Sequence, residues 1–276
     1  MAVDMLSYID RPSPIHRLTG ATKLIGFILW SSAAMLTYDT GVLVFMLAAS
    51  VVFFQMSNVR FRDISFVVIV LAIFLVINNI AIYIFAPQQG VAIYGAKHEL
   101  FHIAGWYNVT LEQLFYQLNI TLKYVTVMPA ALLFIVTTNP SEFASSLSRI
   151  GVSYRISYAV AIALRYIPDI QRDFRTIAIS QQARGIDLSK NEKLGKRIKN
   201  ALSIVMTLIF SSLERIETIS NAMELRGFGK HKKRTWFTAK DFQKADYVAL
   251  IFVGVVLIVS LVITFVRGTR FYNPFL

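Results

Sequence analysis

The 276-residue chain contains no cysteine. That absence excludes disulfides, thiolate catalysis, Cys-ligated zinc and iron–sulfur clusters together. Charge is also scarce: 16% of residues are charged, while 55% are hydrophobic and 13% aromatic. A soluble domain of this length is more polar. There is no G-x-x-x-x-G-K-[ST] phosphate loop, because Gly195-Lys196-Arg197 and Gly229-Lys230-His231 lack the hydroxyl that would hold Mg²⁺. The chain is therefore not expected to hydrolyse nucleotide or to be an enzyme. The first residues carry Asp4, Asp10, Pro12 and Pro14 but no basic n-region or small-residue cleavage site, so no cleaved signal peptide is expected.

What is abundant is long apolar runs. Five stretches, at about 22–38, 40–56, 64–86, 118–138 and 246–266, are long and apolar enough to cross a hydrocarbon layer of about 30 Å, which takes roughly 17 to 25 helical residues. The first two are separated only by Tyr38-Asp39-Thr40-Gly41, a turn that predicts an antiparallel helical hairpin. Fold class follows: an all-α integral membrane protein of about five transmembrane helices plus a cytoplasmic domain of long helices. The expected organisation is membrane helices 1–4 in residues 1–138, a cytoplasmic helical domain over 139–244, and a last span with its tail over 245–276.

Lys and Arg set the orientation, since short basic loops stay cytoplasmic. Arg11, Arg17 and Lys23 place the N-terminus inside, with Arg60 and Arg62 on the same side. The stretch 87–117 has a single basic residue, Lys97, and should face outward. Residues 139–244 hold nineteen Lys/Arg against nine Asp/Glu, nearly all of the formal charge of +12. This region is expected in the cytoplasm of a multi-pass membrane protein. An odd span count puts Arg267 and Arg270 outside, against the rule. The alternative is that 156–168 or 201–213 enters the bilayer, although each is short for a span. The basic residues interleave with Ile, Leu, Val and Met, without an aromatic stacking platform, which argues against nucleic acid. Anionic headgroups account for Lys230, Lys232, Lys233 and Arg234 more simply.

Two helices in the basic region end alike. The first is predicted from Pro168, with Ile170, Phe174, Ile177 and Gln181 along one face, to Ala183-Arg184-Gly185. The second is predicted from about Ala201, through Leu202, Met206, Ile209, Leu213, Ile216, Ser220 and Met223, to Leu225-Arg226-Gly227. Glycine after a helix is ordinarily a left-handed cap, and a nearby cation offsets the helix dipole. Two such ends 42 residues apart, followed by Ile186 and Phe228, suggest in addition a pair of equivalent sockets on partners. Arginine suits such a socket, because its planar fork grips a carboxylate bidentately and stays charged.

The chain resembles the transmembrane (T) components, EcfT, of energy-coupling factor transporters. The resemblance rests on Ser13-Pro14-Ile15-His16-Arg17-Leu18 followed by Thr22-Lys23-Leu24-Ile25, on Ala163-Leu164-Arg165-Tyr166-Ile167-Pro168, and on the two Arg-Gly ends. It implies that Ala183, Arg184, Gly185 and Leu225, Arg226, Gly227 dock into grooves of two ABC-type ATPases (EcfA and EcfA'). Leu225 stands where the family commonly has Ala. It also implies that ATP-driven motion passes to a membrane-embedded substrate-binding S component for uptake of vitamins or other micronutrients. ATP and Mg²⁺ would be bound by the partner ATPases, with no cofactor on this chain. Ser31, Ser32, Ala33, Ala34 and Ala48, Ala49, Ser50 are candidate close-packing sites, within the chain or against a partner.

Two rival readings arise from the residues. His98-Glu99-Leu100-Phe101-His102 matches H-E-x-x-H, the helix-borne zinc motif of metalloproteases. Gly95 and Gly105 bracket a stretch that reads as a hairpin instead, and strand residues four apart lie about 13 Å from each other. His16 and His231 are expected across the membrane from it. The other rival is a stand-alone secondary transporter, for which Asn78, Asn79, Lys123 and Pro129 are the polar or kinking candidates within spans. Lys123 is expected to snorkel to the interface.

Overall fold

The computed structural model describes residues 11–104, 107–186, 194–231, 235–236, 240–266 and 271–275, leaving Lys232, Lys233, Arg234, Arg267, Arg270, Asp4 and Asp10 outside the described residues. It is almost wholly helical and resolves into two compact units. One comprises residues 1–139 with 240–276 and the other residues 140–239.

The first unit contains helices α1 (Pro14–Arg17), α2 (Gly20–Leu36), α3 (Thr40–Met56), α4 (Phe61–Phe85), α5 (Gln89–Tyr94), α6 (Leu111–Thr137) and α10 (Lys244–Val266), with a hairpin of β1 (Glu99–Ala104) and β2 (Tyr107–Thr110) leading into α6. Local chemistry sets the helix starts. The side chains of Ser13, Thr19, Asp39 and Thr110 each accept a backbone N–H from the first turn of α1, α2, α3 and α6, the usual relief for otherwise orphaned donors. Helices α4, α6 and α10 are long and apolar enough to cross a membrane, and α2 and α3 are shorter apolar helices of 17 residues each. All five predicted apolar stretches are therefore helical.

The core sits where α2, α3 and α10 meet. Trp30, Ala33, Ala34, Leu43, Met46 and Val256 are buried there. Trp30 Nε1 donates to Ser50 Oγ (3.0 Å), which donates to Thr126 O (3.1 Å) on α6. Small residues thus serve packing inside this chain: Ala33, Ala34 and Ser50 are buried. On α4, Asn79 Nδ2 donates to Thr121 Oγ1 of α6 (3.0 Å), and Gln117 Nε2 donates to Asn79 O (3.1 Å). These groups knit two apolar helices together.

Polar links join the ends of this unit. At one end, Asp246 of α10 accepts Thr19 N (2.8 Å) and Thr19 Oγ1 (3.1 Å), while Lys23 Nζ donates to Thr137 O (2.7 Å). At the other, Lys123 Nζ donates to Met35 O (2.9 Å) and lies 3.0 Å from the centre of the Tyr38 ring. Lys123 is 5% exposed, so it does not snorkel. It is satisfied instead by the carbonyl end of a neighbouring helix and an aromatic face. Beside it, Phe271 lies 4.3 Å from Tyr38, and Phe275 lies against Tyr94, His98 and Phe115.

The second unit holds α7 (Pro140–Arg149), α8 (Tyr154–Ala183) and α9 (Leu194–Leu225). Both long helices start earlier than their sequence patterns suggest. Pro168 lies inside α8 and not at its first turn, because Ser153 caps an amphipathic segment upstream and one interior proline removes only the N–H bond to Leu164 O. Helix α9 begins at Leu194, before Ala201, since the Lys- and Arg-rich turn ahead of the apolar seam consists of good helix formers. The stretches 156–168 and 201–213 are parts of these longer helices, neither of which is among the candidate spans. Helices α8 and α9 pack on each other, with Arg215 Nη2 donating to Asp173 Oδ2 (2.5 Å) and the Arg215 guanidinium 6.0 Å from the Tyr166 ring centre.

Candidate functional site: two capped helix ends

The residues singled out from sequence occupy the C-terminal ends of α8 and α9, and the two ends have the same geometry. At the first, Gly185 N donates to Gln182 O and Ile186 N to Gln181 O, both at 3.0 Å, with Gly185 at φ 86°. At the second, Gly227 N donates to Glu224 O (2.9 Å) and Phe228 N to Met223 O (3.0 Å), with Gly227 at φ 66°. Both are Schellman caps, in which the residue after the helix must adopt a left-handed conformation that glycine takes without a Cβ clash. In each, arginine is the last residue before that glycine, and Arg184 and Arg226 are both exposed.

The cap alone is not what sets these ends apart. Helix α7 closes in the same way at Gly151 (φ 101°), where Val152 N donates to Leu147 O (3.0 Å). Its corresponding residue is Ile150. The ends of α8 and α9 differ by carrying a guanidinium at that position, and at the second end Leu225 is 89% exposed beside it. A cation next to an exposed large apolar side chain is a surface suited to a partner with an acidic, partly apolar groove.

The second end is also braced. Phe228, the residue after the capping glycine, lies 5.3 Å from Tyr154 and 4.8 Å from Tyr158, ring centre to ring centre. Trp236 lies 6.2 Å from Tyr158, and Arg155 Nη2 donates to Gly229 O (3.0 Å). Sequence reading noted Phe228 but missed Tyr154, Arg155 and Tyr158. Their only signal is two tyrosines one helical turn apart.

The H-E-x-x-H stretch forms no helix. His98 precedes β1, and its Nδ1 lies 2.6 Å from Glu112 Oε1, whereas His102 Nδ1 lies 2.6 Å from Asn108 Oδ1. The two imidazoles thus engage different partners along a strand. Glu99 is bonded to Lys97 and accepts Asn108 Nδ2 (2.6 Å), and the Lys97 ammonium holds its carboxyl below the ordinary range. Among the described residues no three His, Asp or Glu side chains gather as a metal site.

Comparison with known proteins bears on the whole chain. The family model described as cobalt transport protein, CbiQ, matches residues 11–236. The chain is similar to the energy-coupling factor transporter transmembrane protein EcfT of Leuconostoc gelidum subsp. gasicomitatum, 28% identical over 173 residues that cover 59% of this chain and 64% of that one. It is similar to the protein of the same name from Staphylococcus aureus, 25% identical over 58% of this chain and 63% of that one. These alignments span a little under two thirds of those relatives' lengths. A longer one, with EcfT of Exiguobacterium sibiricum, covers 95% of this chain and 97% of that one at 23% identity.

Proposed function

Because the chain belongs to the CbiQ cobalt transport protein family, a family of membrane transporter components and not of hydrolases, we propose that it couples two ABC-type ATPases to a substrate-binding S component. In this reading it is the T component of an energy-coupling factor importer. The observation that carries it is the pair of matching helix ends, each presenting an exposed arginine on a Schellman cap. Ala183, Arg184 and Gly185 meet one ATPase, and Leu225, Arg226 and Gly227 the other. Nucleotide binding and hydrolysis move the ATPases, the two helices move with them, and the S component reorients to release a vitamin or other micronutrient. ATP and Mg²⁺ stay on the ATPases. The N-terminus and residues 140–239 face the cytoplasm, as their positive charge favours.

Energetics supply the test. A cation that merely offsets an exposed helix dipole is worth about 0.3–1 kcal/mol, whereas truncating one member of a buried interfacial charge pair costs about 2–5 kcal/mol or more. Arg184→Glu and Arg226→Glu should each leave membrane insertion normal, weaken association with the ATPases at least about thirtyfold, and sharply reduce ATP-driven uptake in vesicles. The double variant should be worse. Normal uptake by the double variant would sink the proposal.

A further inference from the structure

Arg184 is the cap residue directly after helix α8, so whatever moves Arg184 moves α8 by covalent continuity. The Arg226 tip belongs to α9, yet the residues just beyond it turn back onto the start of α8. Phe228 packs on Tyr154 and Tyr158, and Gly229 O accepts from Arg155. Gly229 has φ 84°, and a Cβ added there would meet the Arg155 guanidinium at 3.7 Å. Tyr154 is buried, which places this contact in packed surroundings. Farther along the same pair of helices, Arg215 bonds Asp173, a second tie between α9 and α8. The 30 residues of α8 span roughly 45 Å, with one tip at its far end and the other clamped to its base.

We propose that Phe228 is a positioning residue that locks the Arg226 tip to the base of α8, so that α8 is one strut bearing both tips. Displacement of either ATPase then reaches the other tip through α8, and the two strokes are delivered together. This rests on the proposed docking role of the tips. The clamp itself is a property of the chain and can be measured without partners.

Glu224→Cys and Ile156→Cys, both exposed and introduced into a chain with no native cysteine, take spin labels for pulsed dipolar distance measurement in full-length protein in nanodiscs. With Phe228 intact, one narrow distance distribution is expected. Phe228→Ala should broaden it, because losing two ring contacts raises the undocked population about tenfold. In the whole complex Phe228→Ala should keep the ATPases associated and hydrolysing while uptake per ATP falls several-fold. Phe228→Tyr should restore both readouts. An unchanged distribution in Phe228→Ala, or broadening with undiminished uptake per ATP, would overturn the clamp. Loss of the ATPases to the extent seen with Arg226→Glu would assign Phe228 to the docking surface instead, also overturning it. Should Phe228→Ala not accumulate in membranes, Phe228→Leu and Arg155→Gln carry the same readouts. Failure of Arg226→Glu to weaken the complex counts against the docking role alone, and the distance measurement still decides the clamp.

Discussion

Asp246 is fully buried, and a buried carboxylate is tolerated only when its oxygens are well supplied with donors. It has them. Thr19 N and Oγ1 lie on one oxygen, and Gln243 N donates to the other at 2.8 Å. One side chain therefore caps the start of α10 and ties it to the start of α2, 227 residues away in sequence. Asp246→Ala would orphan buried donors and should lower thermal stability in detergent by about 1–3 kcal/mol. Asp246→Asn, which retains acceptor oxygen, should cost less. Equal melting of all three proteins would refute the assignment. This residue was not legible in the sequence. An acid at the first turn of an apolar helix reads simply as an interfacial charge, and only the fold brings Thr19 beneath it. Lys123 was misread for the same reason, since its carbonyl partner lies 88 residues away.

Pairs of elements show how such groups replace water inside a lipid-facing unit. Lys23 in the first turn of α2 donates to Thr137 O at the end of α6, and Lys123 of α6 donates to Met35 O near the end of α2. Each helix thus supplies a cation to the negative end of the other's dipole. Lys123→Met should preserve length and apolar packing but leave that carbonyl without its cation, lowering the melting temperature. Lys123→Arg should fall between. A Lys123→Met protein as stable as wild type would mean that the ammonium contributes nothing net. The existence of the long helices in the second unit was legible from their 3–4 apolar spacing, and their ends from Arg-Gly. Their starts were not, because Pro168 has two meanings: it begins helices well and is also tolerated inside them at a cost of about 3 kcal/mol. Being exposed within α8, it should be replaceable. Pro168→Ala restores one backbone hydrogen bond and should stabilise the protein by about 1–3 kcal/mol on thermal unfolding. Destabilisation would show that the proline ring or its kink is needed for packing.

For the whole molecule, the membrane unit has its own internal logic of sidedness. Its five apolar helices α2, α3, α4, α6 and α10 run alternately between two sets of ends. Thr19, Lys23, Thr137 and Asp246 are joined at one set, and Tyr38, Lys123 and Phe271 at the other. The last segment is fastened there too, since Asn273 Nδ2 donates to Tyr94 O (2.9 Å) and Phe275 stacks on His98. The hairpin of β1 and β2 and the C-terminal segment therefore share one end of this unit, whatever charge near the C-terminus suggests. Sequence supplied the apolar runs and the basic segment. It could not supply this pairing, which depends on aromatic contacts between stretches nearly 180 residues apart, as Tyr94 and Asn273 are. Single cysteines at Phe101 and Tyr272, both exposed, should react with a membrane-impermeant maleimide added outside intact cells, whereas one at Ile150 or Leu194 should react only after permeabilisation. Labelling of Phe101→Cys but not Tyr272→Cys from outside would break the shared end. Labelling of Leu194→Cys from outside would remove the second unit from the compartment where ATP is available, and with it the coupling role of both arginine tips.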